Sequence, residues 1–293
     1  MIKLSAIQLL LTPVLLLALC LESRAEEVVT WPYFDFPPLF MSGEDGPEGI
    51  APDVIELLDE RMEGYGHVMT FMPASRMFAS ARRGEELCIF GIVRTPERED
   101  FLVYSRPLRL VPPLVMVFRA GERPDFGTGS ETLSLAEVLD SGDYLLGDME
   151  GLSNGEELDE IIAEHGNAEN VKVFYKDTYT ESRLDMLLSG RIDVYIGSIP
   201  ELRLAMEKRG NLDDVEYARI KEGRWMLGHA ACTNTSWGTR VVAAINSALS
   251  DREALRRLES IYISHMEGLV PEGYHSHFGS MIASPMLAGE SGR

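Results

Sequence analysis

Positive charge is scarce in this chain. Lys and Arg number 27 against 47 Asp and Glu, for a formal charge of −20 at pH 7. Recognition of nucleic acid needs clustered Lys and Arg, so that class of partner is excluded, and adhesion to anionic lipid goes with it. Cysteine is almost as rare, with three in 293 residues. None belongs to a C-x-x-C pair and the six histidines are scattered, so no metal site is expected. No G-x-S-x-G elbow, no P-loop and no G-x-G-x-x-G after a strand can be found, which removes the commonest nucleophile, nucleotide and dinucleotide sites, and no cofactor is expected. Long apolar runs are missing beyond the N-terminus, so no internal segment offers the ~20 apolar residues of a membrane span.

The N-terminus carries the one apolar run. Lys3 precedes a 13-residue stretch, Leu9 to Leu21, broken only by Thr12 and Pro13, and Ser23-Arg24-Ala25 follows. A positive start, a short apolar core and small residues at −3 and −1 define a secretory signal peptide cut after Ala25. The alternatives are an uncleaved anchor or a lipid on Cys20, the latter disfavoured by the bulky Leu19 before it. Residues 1–25 are read as the signal peptide, and the mature chain as periplasmic or extracellular. Such a compartment permits a disulfide between Cys88 and Cys232, and two buried thiols are the alternative.

The mature chain alternates strand-like and helical patterns. Strands are expected at Val28–Trp31, Val68–Met72, Leu87–Val93, Pro112–Phe118, Tyr144–Gly147, Val171–Tyr175, Ile192–Ile196, Val215–Ile220 and Trp225–Ala231. Helices are expected at Pro52–Met62, Ser75–Arg82, Ser236–Leu249 and Arg252–His265. Three more are expected to open at the capping patterns Ser134-x-x-Glu137, Ser153-x-x-Glu156 and Thr178-x-x-Glu181. Such alternation predicts largely parallel sheets, in two α/β lobes rather than one. The Gly-, Ser-, His- and Pro-containing tail after Met266 is expected to be loose.

Three segments stand out from this background. Trp31-Pro32-Tyr33-Phe34-Asp35-Phe36-Pro37-Pro38-Leu39-Phe40 places five aromatic residues in ten after the first strand. In an α/β sheet the loop at the carboxyl end of a strand faces the ligand crevice, where aromatic faces can enclose an organic ligand. Arg94 and Arg98 follow the apolar strand 87–93, and an arginine there can grip a carboxylate with two parallel hydrogen bonds. The alternative for these arginines is a surface ion pair with Glu97, Glu99 or Asp100. Gly151-Leu152-Ser153-Asn154-Gly155 precedes a helix, where exposed N–H groups favour anions; simple capping is the alternative.

Taken together these residues resemble a known family. Arg94-Thr95-Pro96-Glu97-Arg98, followed by Tyr104-Ser105-Arg106-Pro107, is similar to the T-P-E-R…F-S-x-P-Y segment of family 3 extracellular solute-binding proteins, the polar amino-acid-binding proteins of ABC uptake systems. Gly49 to Val54 resembles its G-F-x-x-D-L segment, and Ser189-Gly190-Arg191-Ile192-Asp193 its G-R-I-D segment. The resemblance implies a two-lobed periplasmic-binding-protein-like fold with two crossover strands as the hinge. Lobe one would be 27–113 plus 226–293, and lobe two 114–225. Arg98 matches the arginine that holds a ligand carboxylate, Phe36 an aromatic on the ligand, and Ser153 a hydroxyl at the second-lobe helix. Tyr33 and Trp31 join Phe36 from the aromatic loop, and Arg76 stands as a further candidate at the rim. Two positions depart from the pattern. Ser198 falls where amino-acid binders carry an acid for the ligand ammonium, and Val93 replaces a hydroxyl residue. An ammonium without its counter-charge is costly in a closed site, so an anionic or neutral, partly apolar ligand fits better.

The function expected is therefore a solute-binding protein that closes on a small, carboxylate-bearing molecule and delivers it to a membrane permease or receptor. Nothing in the sequence asks for a second copy, so a monomer is expected. A dehydratase-like enzyme on the same scaffold is the alternative, with Asp148 and Glu150 as its acids, and a ligand-sensing module is the third reading. Turnover is not expected.

Overall fold

The computed structural model describes residues 26–125, 131–174, 179–210, 213–266 and 268–288. The signal peptide, Cys20 and Thr178 lie outside them.

The first lobe begins with β1 (Glu27–Tyr33), a small hairpin of β2 (Met41–Ser42) and β3 (Pro47–Glu48), and the helix Ile50–Asp59. β4 (Tyr65–Phe71) pairs in parallel with β1. The helix buries Ile50, Val54, Ile55, Leu57 and Leu58, the apolar stripe that its spacing predicts. Its first N–H groups, at Ile50 and Ala51, donate to the carbonyls of Pro38 and Leu39, which ties the aromatic loop to the helix start. Gly49 makes that approach possible: it has φ 118°, and a Cβ there would lie 2.6 Å from the Pro38 oxygen. The helix Ala74–Arg82 leads to β5 (Cys88–Val93), whose first five residues are buried, as its unbroken apolar run requires.

β6 (Leu102–Val111) then carries the chain to the other lobe through 112–114. That lobe is a six-stranded sheet. It contains β7 (Val115–Arg119), β8 (Thr132–Leu133), β9 (Leu146–Met149), β10 (Val171–Phe174), β11 (Val194–Gly197) and β12 (Val215–Ile220), in the order β10-β9-β11-β7-β12-β8. The chain returns through 221–225 into β13 (Met226–Thr233), which fills the centre of the sheet β5-β13-β6. The fold is thus two-lobed and α/β. Its sheets are mixed rather than largely parallel: β7 runs antiparallel to β11 and β12, and β13 antiparallel to β5 and β6. A strand that arrives from the other lobe enters its sheet head-on, with no helix to reverse it. Cys88 and Cys232 face each other in register across β5 and β13 and form a disulfide.

One expectation needs correction, and two elements lie outside those expected. The tail is ordered helix: Tyr274–Phe278, a π-helical turn Gly279–Ala283 and Ser284–Ala288 follow one another, and Tyr274, Phe278, Ile282 and Met286 are all buried. An apolar residue every fourth position outweighs the tail's Gly and Ser content. β6 falls outside the expected strands, since Pro107 and two arginines interrupt its alternation. The helix Ile199–Arg209 was likewise not anticipated, although Ser198 and Glu201 form a full capping box. Among the described residues no helix is long and apolar enough to cross a membrane.

Candidate functional site

A cleft of about 140 Å³ opens between the two lobes. One wall is the aromatic loop after β1, with Tyr33, Phe34, Phe36, Leu39 and Phe40. Phe90 on β5 backs it, and Met77 and Phe78 come from the helix Ala74–Arg82. The rings interlock: Tyr33 and Phe40 stack at 5.4 Å, and Phe40 meets Phe90 edge-on at 6.2 Å. The opposite wall is the loop Gly151–Asn154 after β9 and the end of β11, Ile196 and Gly197, with Ser198 beyond it. All three segments lie at the carboxyl ends of strands, as an α/β ligand site requires.

Four charged side chains reach this mostly apolar space: Arg98, Arg109, Arg183 and Glu201. Arg98 is buried in the short helix Pro96–Glu99. Its Nη1 donates to the Val93 carbonyl at 2.7 Å, its Nη2 donates to the Gly151 carbonyl at 2.8 Å, and its guanidinium lies 5.1 Å over the Phe78 ring. Arg183 and Glu201 form a buried ion pair on the second lobe. The Arg183 guanidinium also donates to the Ile196 carbonyl and lies 5.0 Å over Tyr195, whose hydroxyl burial pushes well above its usual pKa range. Arg109, on β6, donates from Nη1 to the Gly91 carbonyl at 3.1 Å, and burial pulls its pKa down.

Five of the seven expected residues, Arg98, Phe36, Tyr33, Ser153 and Ser198, lie on this cleft. Arg98 is held by two backbone carbonyls, one on each lobe, and the hydroxyls of Ser153 and Ser198 are engaged close by in sequence. Ser153 does not cap a helix starting at 153. The helix is Glu156–His165, capped by Gly155, and Ser153 Oγ donates to Asp159 at 2.6 Å. The reason lies at Gly155: its φ is 96°, and a Cβ there would meet the Met226 sulfur at 2.3 Å. Ser198 caps the helix Ile199–Arg209. Trp31 is not on the cleft. It shares a face of β1 with Tyr33 but is fully buried deeper in the core, where its Nε1 donates to His67 Nδ1 at 2.9 Å; of the two only Tyr33 reaches the opening. Arg76 is exposed and lines neither the cleft nor its mouth. Arg94 pairs with Glu99 at 2.6 Å, the surface ion pair weighed above. Asp148 does not reach the cleft. Glu150 lies at its outer mouth, where Arg94 and Arg98 on one side face Glu150, Glu156 and Asp159 on the other.

Arg109, Arg183 and Glu201 are the residues that sequence reasoning passed over. Arg109 sits in Pro107-Leu108-Arg109-Leu110-Val111, and a lone arginine between leucines was the available signal. Glu201 carried the signal of a cap, which it also is.

No family model matches the chain, and no curated protein matches it. Solved structures do share its shape. The arginine-, lysine-, histidine-binding protein ArtJ from Geobacillus stearothermophilus is 17% identical with a TM-score of 0.66, over 85% of this chain and 98% of that one. An ancestral arginine-binding protein bound to arginine is 17% identical with a TM-score of 0.63, over 82% and 98%. A histidine kinase sensor domain with similarity to periplasmic binding proteins is 15% identical with a TM-score of 0.66, over 84% and 98%. At such identities the likeness establishes the fold, a two-lobed α/β architecture of the periplasmic-binding-protein type.

Proposed function

We propose that this is an exported solute-binding protein whose lobes close on a small organic anion with an apolar or aromatic body. The observation that carries the reading is the make-up of the cleft: three guanidinium groups against one carboxylate, in a pocket walled by aromatic rings. Arg98 is the proposed contact for a ligand carboxylate, Phe36 and Tyr33 enclose the apolar body, and Ser153 and Ser198 offer hydroxyls from the second lobe. A free α-amino acid suits this charge balance poorly, because Glu201 already answers Arg183 and an ammonium would face the remaining guanidinium groups. The lobes are proposed as 27–113 plus 226–293 and 114–225. The strand pairing supports this division, since every strand from β7 to β12 belongs to one sheet. Hinge closure would shift an open–closed equilibrium, and a permease or receptor would read the closed form. The chain is taken to act as a monomer outside the cytoplasmic membrane, after cleavage following Ala25. Binding without turnover is favoured because the nominated acids, Asp148 and Glu150, stand off the inner cleft.

The test is thermal unfolding of residues 26–293 against small carboxylates, amino acids and aromatic acids. A ligand at 100 times its Kd adds about 2.7 kcal/mol, a readily seen shift. A carboxylate hit is the expected result. A hit confined to cationic amino acids would overturn the ligand class.

A further inference from the structure

We propose that Arg109 forms a second anion site at the inner end of the cleft, so that the ligand is a diacid with an apolar or aromatic spacer. The proposal rests on the solute-binding reading, with Arg98 as the contact for the first acidic group.

Arg109 lies on β6 opposite Gly228 in register, and its side chain lines the inner cleft but not the outer mouth. Arg98 lines both, so the two guanidinium groups mark the two ends of one space. Arg183, the third, is matched by Glu201. Arg109 makes no direct ion pair of its own: among the described residues its hydrogen bond goes to the Gly91 carbonyl, and Glu201, already paired with Arg183, acts on it only at longer range. A guanidinium stays charged in any protein environment. One set against Leu39, Phe40 and Phe90 is costly unless an anion compensates it.

The surroundings are shaped to hold that side chain. Gly91 has φ 68°, and a Cβ there would sit 3.2 Å from Arg109 Cδ; a Cβ at Gly228 would sit 3.0 Å from Arg109 Cβ. The other two strands of the sheet therefore lack a side chain where the arginine passes. Behind it stand two buried tyrosines, Tyr262 from the helix Arg252–His265 and Tyr274 from the C-terminal helices. Both hydroxyls lack hydrogen-bond partners among the described residues, and both act on Arg109 electrostatically. A charged donor on a cleared strand surface next to an apolar wall makes a receptor for a carboxylate at the end of an apolar spacer, and the two tyrosines back that donor without lining the cleft.

The experiment is calorimetric titration of residues 26–293, wild type, Arg109→Met and Arg109→Lys, with the diacids terephthalate, phthalate, adipate and suberate and the monoacids benzoate and hexanoate. At least one diacid is expected to bind the wild type at least ~10-fold more tightly than its monoacid counterpart, the scale of a charge-assisted hydrogen-bond pair. Arg109→Met should erase that preference, weakening diacids by more than it weakens monoacids, and Arg109→Lys should keep part of it. A diacid preference that survives in Arg109→Met, or monoacids that match diacids in the wild type, would overturn the second site and leave the binding-protein reading standing. No binding by any probe would overturn the diacid assignment together with the ligand class it rests on. If Arg109→Met fails to fold, the wild-type ratio and the lysine variant decide the matter.

Discussion

Arg98 Nη2 donates to the Gly151 carbonyl at 2.8 Å, although Arg98 follows the three-stranded sheet and Gly151 follows β9 of the six-stranded one. The residue proposed to contact the ligand is thus also a tie between the lobes.

Arg98→Ala should therefore act twice. Loss of a hydrogen bond from a charged donor costs about 1.5–3 kcal/mol, or roughly a 10- to 150-fold loss of ligand affinity. The closed form should also lose population, visible as a larger radius of gyration by small-angle X-ray scattering. Unchanged affinity and unchanged radius would refute both roles.

The Arg183–Glu201 pair gives a double-mutant cycle. Removing one partner leaves a buried charge alone, so Arg183→Met should destabilise the fold by about 3–5 kcal/mol in urea unfolding. Arg183→Met with Glu201→Leu should recover much of that loss, because neither charge then remains. Equal losses in the single and double variants would show that the pair is not coupled.

The disulfide predicts its own removal. Cys88 and Cys232 stand 144 residues apart in the chain, so Cys88→Ala with Cys232→Ala should lower stability by about 2–5 kcal/mol. Thiol titration of the unfolded, unreduced mature chain should find no free thiol.

Stability should fall in mild acid. Burial pulls the pKa of both His67 and His229 down, against Asp59 and Glu26 for the first and the Ser105 carbonyl for the second, while Arg94 adds to the lowering at His229. The fold therefore prefers the neutral rings, and His67 Nδ1 must stay unprotonated to accept from Trp31. The unfolded chain takes up protons first as pH drops below about 6.5, so this stability is present above that pH and is lost as pH falls toward the folded values. Melting temperature against pH should be flatter in His67→Gln with His229→Gln than in the wild type.

Phe278→Ala tests the tail. Phe278 is buried against the first-lobe core, and truncating a buried Phe costs about 3–5 kcal/mol. A change below about 0.5 kcal/mol, as at exposed sites, would mean the tail is not packed.

Much of the fold was legible because its elements obey local rules. The N-cap at Ser134, the apolar stripe of Ile50–Asp59 and the unbroken run of β5 each report their own structure. β6 was not legible, since a strand joining two lobes meets a different environment along its length and loses clean alternation. The aromatic wall could be placed from the sequence, as loops after parallel strands have a fixed side. Its handedness at single residues could not, and Trp31 was assigned to the cleft when it faces His67. The Arg183–Glu201 pair was invisible for another reason: 18 residues separate its members, and each looks like an ordinary surface charge on a helix. Arg109 needs Gly91 and Gly228 beside it to become a site, and they come from distant parts of the chain.

The connections through 112–114 and 221–225 make the six-stranded lobe a guest inside its host. In N-to-C synthesis Cys88 emerges 144 residues ahead of its partner. Until then the host sheet lacks its middle strand, and the core that Tyr274, Phe278 and Ile282 seal stays open. The guest can finish folding first, while the host must wait for the end of the chain. Chaperone occupancy, and the risk of wrong disulfides at Cys88, should therefore concentrate on the first hundred residues, the part of the protein made earliest and completed last.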